Sequence, residues 1–113
     1  MKTLKFDAEF VQPILAGDKT STWRMFDEKN LQVGDEMEFI NKQTGETFAK
    51  ARLTGVVEKS FKNLTLEDWK GHDKFVSEKE MYETYSRYYS KEVTPQTPVK
   101  IIHFKLFPNL PHN

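Results

Sequence analysis

The sequence of 113 residues contains no cysteine. Disulfide bonds, zinc–thiolate sites and cysteine nucleophiles are therefore all excluded. The sequence also lacks an excess of either charge, because 17 basic side chains balance 17 acidic ones. Proteins that coat nucleic acids without specificity rely on many phosphate contacts, and this balance argues against that class. A local basic groove for one short strand or one nucleoside remains compatible with it.

Long apolar runs are missing as well. No stretch reaches the length of a membrane span or of a signal-peptide core. We therefore expect a cytoplasmic protein without a membrane partner, and nothing in the sequence requires more than a monomer. The length suits one domain over residues 1–113. Two separated histidines, without carboxylates at a matching spacing, do not form a metal site, and we expect no cofactor.

Apolar periodicity predicts a mixture of strands and helices. Asp7 and Gly17 bound the first predicted helix, and Ser77 with Glu80 forms a capping box that opens the last one. Strands are predicted at 2–6, 20–26, 36–40, 47–57 and 99–107, and helices at 7–17, 65–69 and 77–90. In the last helix one stripe is predicted to be buried, namely Met81, Tyr85, Tyr88 and Tyr89. This order predicts an α+β fold, a small mixed β-barrel with helices packed at one side.

The junction between the first helix and the second strand concentrates polar groups, since residues 17–24 read Gly-Asp-Lys-Thr-Ser-Thr-Trp-Arg. Strand alternation places Thr20, Thr22 and Arg24 on one face, and Lys19 directly precedes that strand. Loops held by a rigid scaffold often carry function. The competing interpretation is a glycine that ends a helix, followed by a solvated strand.

Two other segments matter. Residues 33–35, Val-Gly-Asp, predict a tight entry into a strand, which is a structural feature. Residues 71–75, Gly-His-Asp-Lys-Phe, lie between two predicted helices and carry the imidazole of His72 and the carboxylate of Asp73. A helix cap and a surface charge explain these two side chains equally well.

Taken together, the three segments resemble the signature of ASCH domains. Residues 17–24 are similar to the Gly-x-Lys-Thr-x-Thr-x-Arg run of that family, and residues 33–35 to its Gly-Asp strand entry. Residues 71–75 and the capping box after them resemble the family's loop and following helix. The resemblance covers nearly the whole chain. It implies a PUA-like barrel with a cleft, and it implies RNA or a modified nucleoside as the partner.

The resemblance also implies a possible activity. Some small bacterial members are similar to N4-acetylcytidine amidohydrolases, which release acetate from that nucleoside and use a lysine, a threonine and a glutamate. These three roles fall on Lys19, Thr22 and Asp73, where aspartate is one methylene shorter than the family's glutamate. The residues that we predict to contact the substrate are Arg24, Thr20, His72 and Phe75.

Amide hydrolysis requires a nucleophile, a base and a group that stabilises negative charge. The hydroxyl of Thr22 would be the nucleophile and Lys19, removed from water, its base. Arg24 would stabilise the developing charge or pair with Asp73. An aromatic platform for a nucleobase would come from Phe75, Trp69 or Tyr82.

Two alternatives stay open at this point. A non-catalytic RNA-binding module would use Lys19 and Arg24 of the same cleft to grip phosphates or base edges. A structural or adaptor domain would have a cleft without any activity. Five basic residues along the predicted hairpin either extend a binding surface or form a solvated face, which we favour; they are Lys42, Lys50, Arg52, Lys59 and Lys62.

Overall fold

The computed structural model describes residues 1–26, 29–69 and 75–108. Five strands form one mixed sheet, and they are β1 (Lys2–Phe6), β2 (Ser21–Arg24), β3 (Glu36–Asn41), β4 (Thr47–Ser60) and β5 (Pro98–Leu106). Their order across the sheet is β1-β3-β4-β5-β2. Only β1 and β3 pair in parallel among these strands. The sheet curls into a half-barrel, so the predicted α+β architecture is confirmed.

Among the described residues, three α-helices accompany the sheet. They are α1 (Val11–Ala16), α2 (Leu66–Trp69) and α3 (Glu78–Tyr89), and a short 3-10 helix, Ala8–Phe10, precedes α1. The predicted cap of α3 is confirmed, because the hydroxyl of Ser77 accepts a hydrogen bond from the Glu80 amide (3.1 Å). Asp7 occupies the N-cap position of this 3-10 helix, as predicted, but its carboxylate accepts a hydrogen bond from the Gln43 side chain (3.1 Å) and none from a helix amide.

The strand β5 is covered on both faces. Val99 and Ile101 point to one side of the sheet, and Ile102 and Phe104 to the other, and all four are buried. Strand β5 lies between β4 and β2. A strand that is buried on both faces has a nearly continuous apolar sequence, which explains the run of apolar residues in β5.

Each face of the sheet carries its own apolar cluster, named here for the helix that packs on it. The α1 cluster consists of Leu4, Phe6, Ile14, Leu31, Met37, Phe39, Ala51, Leu53, Ile102 and Phe104. The α3 cluster consists of Trp23, Met25, Phe61, Met81, Val93, Val99 and Ile101, with Leu64, Trp69, Phe75, Tyr82, Tyr85 and Tyr89 packed against it. Met37 and Phe39, two residues apart in β3, both lie in the α1 cluster and are fully buried.

The two edge strands of the sheet, β1 and β2, come close to each other through side chains. The guanidinium of Arg24, at the end of β2, donates a hydrogen bond to the backbone carbonyl of Lys5 in β1 (2.7 Å). The ammonium of Lys29 donates to the carbonyl of Thr3 in the same strand (2.6 Å). Backbone carbonyls two residues apart point to the same side of a strand. The two cations therefore bind carbonyl groups on the edge of β1 that faces away from β3.

The aromatic stripe of α3 differs from its prediction at one position. Met81 is buried, and Tyr85 and Tyr89 are half-buried, but 44% of Tyr88 is exposed. Tyr88 therefore does not pack into the α3 cluster, although Tyr89 beside it does. None of the helices in the described ranges has the length and apolar character of a membrane-crossing segment.

Candidate functional site

A cleft of about 330 Å³ opens where the two apolar clusters meet. Small-molecule sites typically have volumes of about 300–1,000 Å³, so the cleft is large enough for a small ligand. Its lining comes from three parts of the fold, the end of β1 with the 3-10 helix, strand β2, and helix α3. The lining residues are Lys5, Phe6, Asp7, Glu9, Phe10, Lys19, Thr22, Trp23, Arg24, Phe75, Thr84, Tyr85, Tyr88 and Tyr89.

Lys19 reaches the cleft because of the way in which α1 ends. Gly17 adopts a left-handed conformation (φ +83°), which a residue without a Cβ adopts readily. The backbone amide of Lys19 then donates to the carbonyl of Pro13 (3.1 Å), so the chain folds back over the helix end. The Lys19 side chain is consequently buried, with 4% of the residue exposed, and its ammonium lies 5.0 Å from the centre of the Phe10 ring.

Strand β2 separates its neighbouring side chains between the two clusters. Thr22 pairs with Ile102 of β5, whose side chain belongs to the α1 cluster. Trp23 pairs with Ile101, whose side chain belongs to the α3 cluster. Directly paired residues share a face of the sheet, so the predicted alternation of β2 is confirmed. Thr22 is 5% exposed and presents its hydroxyl-bearing side chain at the cleft.

Arg24 lines the same cleft but already has partners in the protein. Besides its hydrogen bond to Lys5, its guanidinium carbon lies 4.8 Å from the centre of the Phe6 ring. That distance is within the range of a cation–π contact. Arg24 therefore orders the wall between β1 and β2, and any ligand contact would use the remaining N–H groups of its five-donor fork.

Helix α3 supplies an aromatic wall. Tyr85 lies 5.5 Å from Phe75, and Tyr89 lies 5.0 Å from Tyr88, measured between ring centres. The hydroxyl of Tyr89 accepts a hydrogen bond from the backbone amide of Met25 (3.2 Å), which fixes the end of β2 against α3. A tyrosine ring can pack against apolar side chains while its hydroxyl group faces solvent or a ligand. Tyrosines are therefore suited to line a cleft.

The known structures most informative about this geometry are ASCH domains. No protein-family model matches the sequence, and no curated protein matches it. Among solved structures, the ASCH domain from Lactobacillus crispatus is similar over 93% of this chain and 78% of that one, with a TM-score of 0.72 at 16% identity. The ASCH protein from Zymomonas mobilis is similar over 91% of this chain and 65% of that one, with a TM-score of 0.61 at 16% identity. This chain has the ASCH-domain fold.

A further structure extends the comparison to archaea. A protein from Pyrococcus furiosus is similar to this ASCH fold over 96% of this chain and 98% of that one, with a TM-score of 0.65 at 21% identity. The match covers both chains almost completely, so the shared fold spans nearly the whole of this chain. The PUA-like half-barrel that the sequence implies is thus confirmed as a fold.

Within the ASCH fold, the residues predicted for the site fall into three groups. Four of them, Lys19, Thr22, Arg24 and Phe75, line the cleft together. Thr20 is exposed and lies in a separate depression of about 280 Å³ beside α1 and β5. Asp73 and His72 lie outside the described residues, so their predicted roles remain predictions.

Sequence reasoning missed several cleft residues. Phe6 and Phe10 lie in a predicted strand and a predicted helix, where an apolar residue indicates only packing. Tyr85 and Tyr89 were predicted only as part of the buried stripe of α3. The signal that could have pointed to the tyrosines is their hydroxyl group, because a helix that needs only packing can use leucine or isoleucine there. Of the proposed aromatic platforms, Phe75 lines the cleft, whereas Trp69 and Tyr82 pack against the α3 cluster.

Three of the five basic residues predicted for the hairpin region contact different partners in the protein. Arg52 pairs with Glu36 (3.0 Å) and Lys59 pairs with Asp68 (2.8 Å). Lys42 differs, because its ammonium lies 4.7 Å from the centre of the Tyr88 ring at the mouth of the cleft. The part of the chain that the structure describes contains no group of three or more histidine, aspartate or glutamate side chains suited to hold a metal ion.

Proposed function

We propose that this ASCH-fold protein is a member of the ASCH family whose cleft binds one nucleobase and hydrolyses the exocyclic amide of N4-acetylcytidine to cytidine and acetate. The observation that carries the proposal is the burial of Lys19 and Thr22, 4% and 5% exposed, in the lining of one cleft with aromatic walls. A lysine is rarely buried in a small domain unless its charge has a use or a partner. A threonine beside it supplies the hydroxyl that amide cleavage requires.

The mechanism assigns one step to each group. Lys19 takes the proton of the Thr22 hydroxyl, and the hydroxyl oxygen attacks the acetyl carbonyl carbon. The amide C–N bond then breaks, cytidine leaves with a proton, and the acetyl group remains on Thr22 as an ester. Water hydrolyses this ester, and acetate is released. Asp73, two residues before Phe75 in the sequence, is proposed to relay this proton from the Lys19 ammonium to the departing cytosine nitrogen, which returns Lys19 to its neutral form.

The walls of the cleft supply recognition. Phe75 and Tyr85 present aromatic rings on which a pyrimidine can stack. Arg24 holds β1 against β2, so that Phe6 and Lys5 keep their places at the opposite wall. A monomeric state and a cytoplasmic location stay predictions.

The test follows cytidine by chromatography after incubation with N4-acetylcytidine. Lys19→Met keeps the apolar length of the side chain, and Thr22→Val keeps its shape, so each removes mainly the reacting group. Each variant is expected to lose at least about 100-fold in turnover, and the double variant is expected to be little worse, because the two groups act as a unit. Lys79→Met and Thr54→Val, at exposed positions outside the cleft, are the matched controls.

Turnover that persists in Lys19→Met and Thr22→Val at the rate of the unchanged protein would overturn the assignment of the two residues. If the unchanged protein forms no cytidine, the hydrolase proposal is wrong. RNA binding in the same cleft without chemistry is then the alternative that the basic and aromatic lining favours, and its affinity would fall with salt. In that case Arg24→Gln would weaken RNA binding more than Thr22→Val.

A further inference from the structure

A surface of exposed aromatic rings continues outward from the mouth of the cleft. It consists of Phe26, Tyr88 and Tyr89, with Lys42 and Lys91 above the rings, and is called here the tyrosine–lysine surface. Ring centres lie 5.6 Å apart for Phe26 and Tyr89, and 5.0 Å apart for Tyr88 and Tyr89. Because Tyr88 and Tyr89 also line the cleft, the surface and the cleft are continuous.

Two of these rings are exposed although they are large and apolar. Phe26 is 43% exposed and Tyr88 is 44% exposed. Phe26 also has a positive backbone φ of +55°, a region that a bulky side chain rarely adopts. The protein therefore accepts an unfavourable backbone conformation at Phe26 without burying the ring. Strain of this kind at an exposed residue points to function.

A lysine accompanies each exposed ring. The ammonium of Lys42 lies 4.7 Å from the centre of the Tyr88 ring, and that of Lys91 lies 4.8 Å from the centre of the Phe26 ring. The two lysines come from different parts of the chain, the β3–β4 turn and the segment after α3. A lysine side chain is flexible enough to turn from the ring to a phosphate when a base occupies the ring. Proteins bind a single strand of nucleic acid with aromatic rings, on which the bases stack, and with nearby cations, which contact the phosphates.

We infer that the tyrosine–lysine surface binds the nucleotides that flank the base held in the cleft, so that a single-stranded nucleic acid containing that base binds more tightly than the free nucleoside. The bases next to the bound one would stack on Tyr88 and Phe26, and their phosphates would contact Lys42 and Lys91. The inference rests on the proposed function only in that the cleft must accept a nucleobase. It needs no chemistry in the cleft.

The experiment measures binding by the anisotropy of a fluorescein-labelled RNA hexanucleotide of mixed sequence, and binding of cytidine by calorimetry. Phe26→Asn removes the ring, and asparagine tolerates positive φ, so the backbone can stay as it is. The ratio of hexanucleotide affinity to cytidine affinity is expected to fall about tenfold or more in this variant, the loss typical of one stacked base. Thermal unfolding of each variant confirms that it is folded.

The lysines are tested by salt. In Lys42→Gln and in Lys91→Gln, the slope of log affinity against log salt concentration is expected to be about 0.7 smaller in magnitude, the value for one phosphate contact to a single strand. The matched control is the other exposed ring with a cation above it, Phe107 with Arg52 (5.5 Å), which does not line the cleft. Phe107→Asn and Arg52→Gln are expected to change neither the ratio nor the slope.

The outcomes separate the inference from the proposed function. Hexanucleotide binding no tighter than cytidine binding, or a ratio that is unchanged in Phe26→Asn, would overturn the inference even if N4-acetylcytidine is hydrolysed. Tight, ring-dependent hexanucleotide binding without cytidine formation would support the inference and leave the hydrolase proposal wrong. A DNA hexanucleotide of the same sequence shows whether the 2′-hydroxyl contributes, since equal affinity means that stacking and phosphate contacts suffice.

Discussion

The two apolar clusters of this protein are built on opposite faces of one sheet, yet they differ in what surrounds them. The α1 cluster is closed by aliphatic side chains and phenylalanines, and Phe39 at its centre is 0% exposed. The α3 cluster is bordered by tyrosines that are only half-buried, among them Tyr85 and Tyr89. The comparison indicates that the α1 cluster contributes mainly to the stability of the fold. The tyrosines that border the α3 cluster stay partly exposed, and they form one wall of the cleft.

The largest expected effect tests the closed cluster. Phe39→Ala should lower the free energy of unfolding by about 3–5 kcal/mol, because it leaves a cavity among well-packed side chains. Phe39 packs against Phe6 and Phe104, with ring centres 4.8 Å away in both cases. Urea unfolding measures this loss. A loss below about 1 kcal/mol would contradict the view that the α1 cluster is the main source of stability.

Tyr85→Ala tests the cleft-lining cluster in the same way. Tyr85 contacts Phe61 and Phe75, with ring centres 5.9 Å and 5.5 Å away, but it is only half-buried. The expected loss in unfolding free energy is about 2 kcal/mol, since less apolar area returns to water. Ligand affinity in the cleft should fall as well, which titration with cytidine measures. Equal losses of stability for Phe39→Ala and Tyr85→Ala would remove the distinction between the clusters.

The edge between the clusters depends on Arg24. Arg24→Gln removes a charged hydrogen bond to the Lys5 carbonyl and a cation–π contact with Phe6. The expected cost is about 1–2 kcal/mol of unfolding free energy. Faster amide hydrogen exchange in β1 than in β4 would locate the loss at this edge. The control is Arg87→Gln on the exposed side of α3, which should change stability by less than about 0.5 kcal/mol; a similar loss there would contradict the role of Arg24.

The smallest expected effect concerns acid. Burial raises the pKa of Asp68, but hydrogen bonds from Lys59 and from the amide and hydroxyl of Thr65 outweigh it, and the pKa lies below its ordinary value of 3.8. A lowered pKa in the folded state adds stability above pH 3.8, and this part is lost as the pH falls through the lower, folded-state pKa. The stability of Asp68→Asn should therefore decrease less than that of the unchanged protein on acidification below about pH 4, by about 1 kcal/mol.

Asp35 is a second aspartate that pairs with a lysine and accepts a backbone hydrogen bond. The hydrogen bond from Lys2 and that from the Gln32 amide hold the pKa of Asp35 below 3.8. This pair is more exposed than the Lys59–Asp68 pair, so solvent screens it more. Urea unfolding between pH 2 and pH 6 should show a smaller effect for Asp35→Asn than for Asp68→Asn. The reverse order would mean that the α2 segment is not anchored through Asp68.

Much of the fold was predictable because its signals are local. Gly17 at the end of α1, Ser77 at the start of α3 and the turn at Gly45 depend on neighbours within about four residues. The alternation of Thr22 and Trp23 in β2 follows from the geometry of a strand. Strand bounds were less accurate, since β4 extends to Ser60, three residues beyond its predicted end.

Less of the site was predictable. Lys19, Thr22, Arg24 and Phe75 were expected at one place, and they line one cleft. The exposure of Tyr88 was not expected, because helical periodicity says which residues share a face but not how far the neighbouring sheet extends beneath them. The contact of Lys42 with Tyr88 joins residues 46 positions apart, and no local pattern signals such a pair.

The sequence by itself determined the order and approximate positions of the helices and strands, the alternation of side chains in β2, and the resemblance to ASCH domains. These properties follow from periodicity, caps and turns over a few neighbouring residues. Only the tertiary structure decided that β1 and β2 meet through Arg24, and that the Met25 amide is bound by Tyr89, 64 positions away. The physical reason is that a cleft forms where distant elements leave a gap, and the width of that gap depends on the packing of the whole sheet.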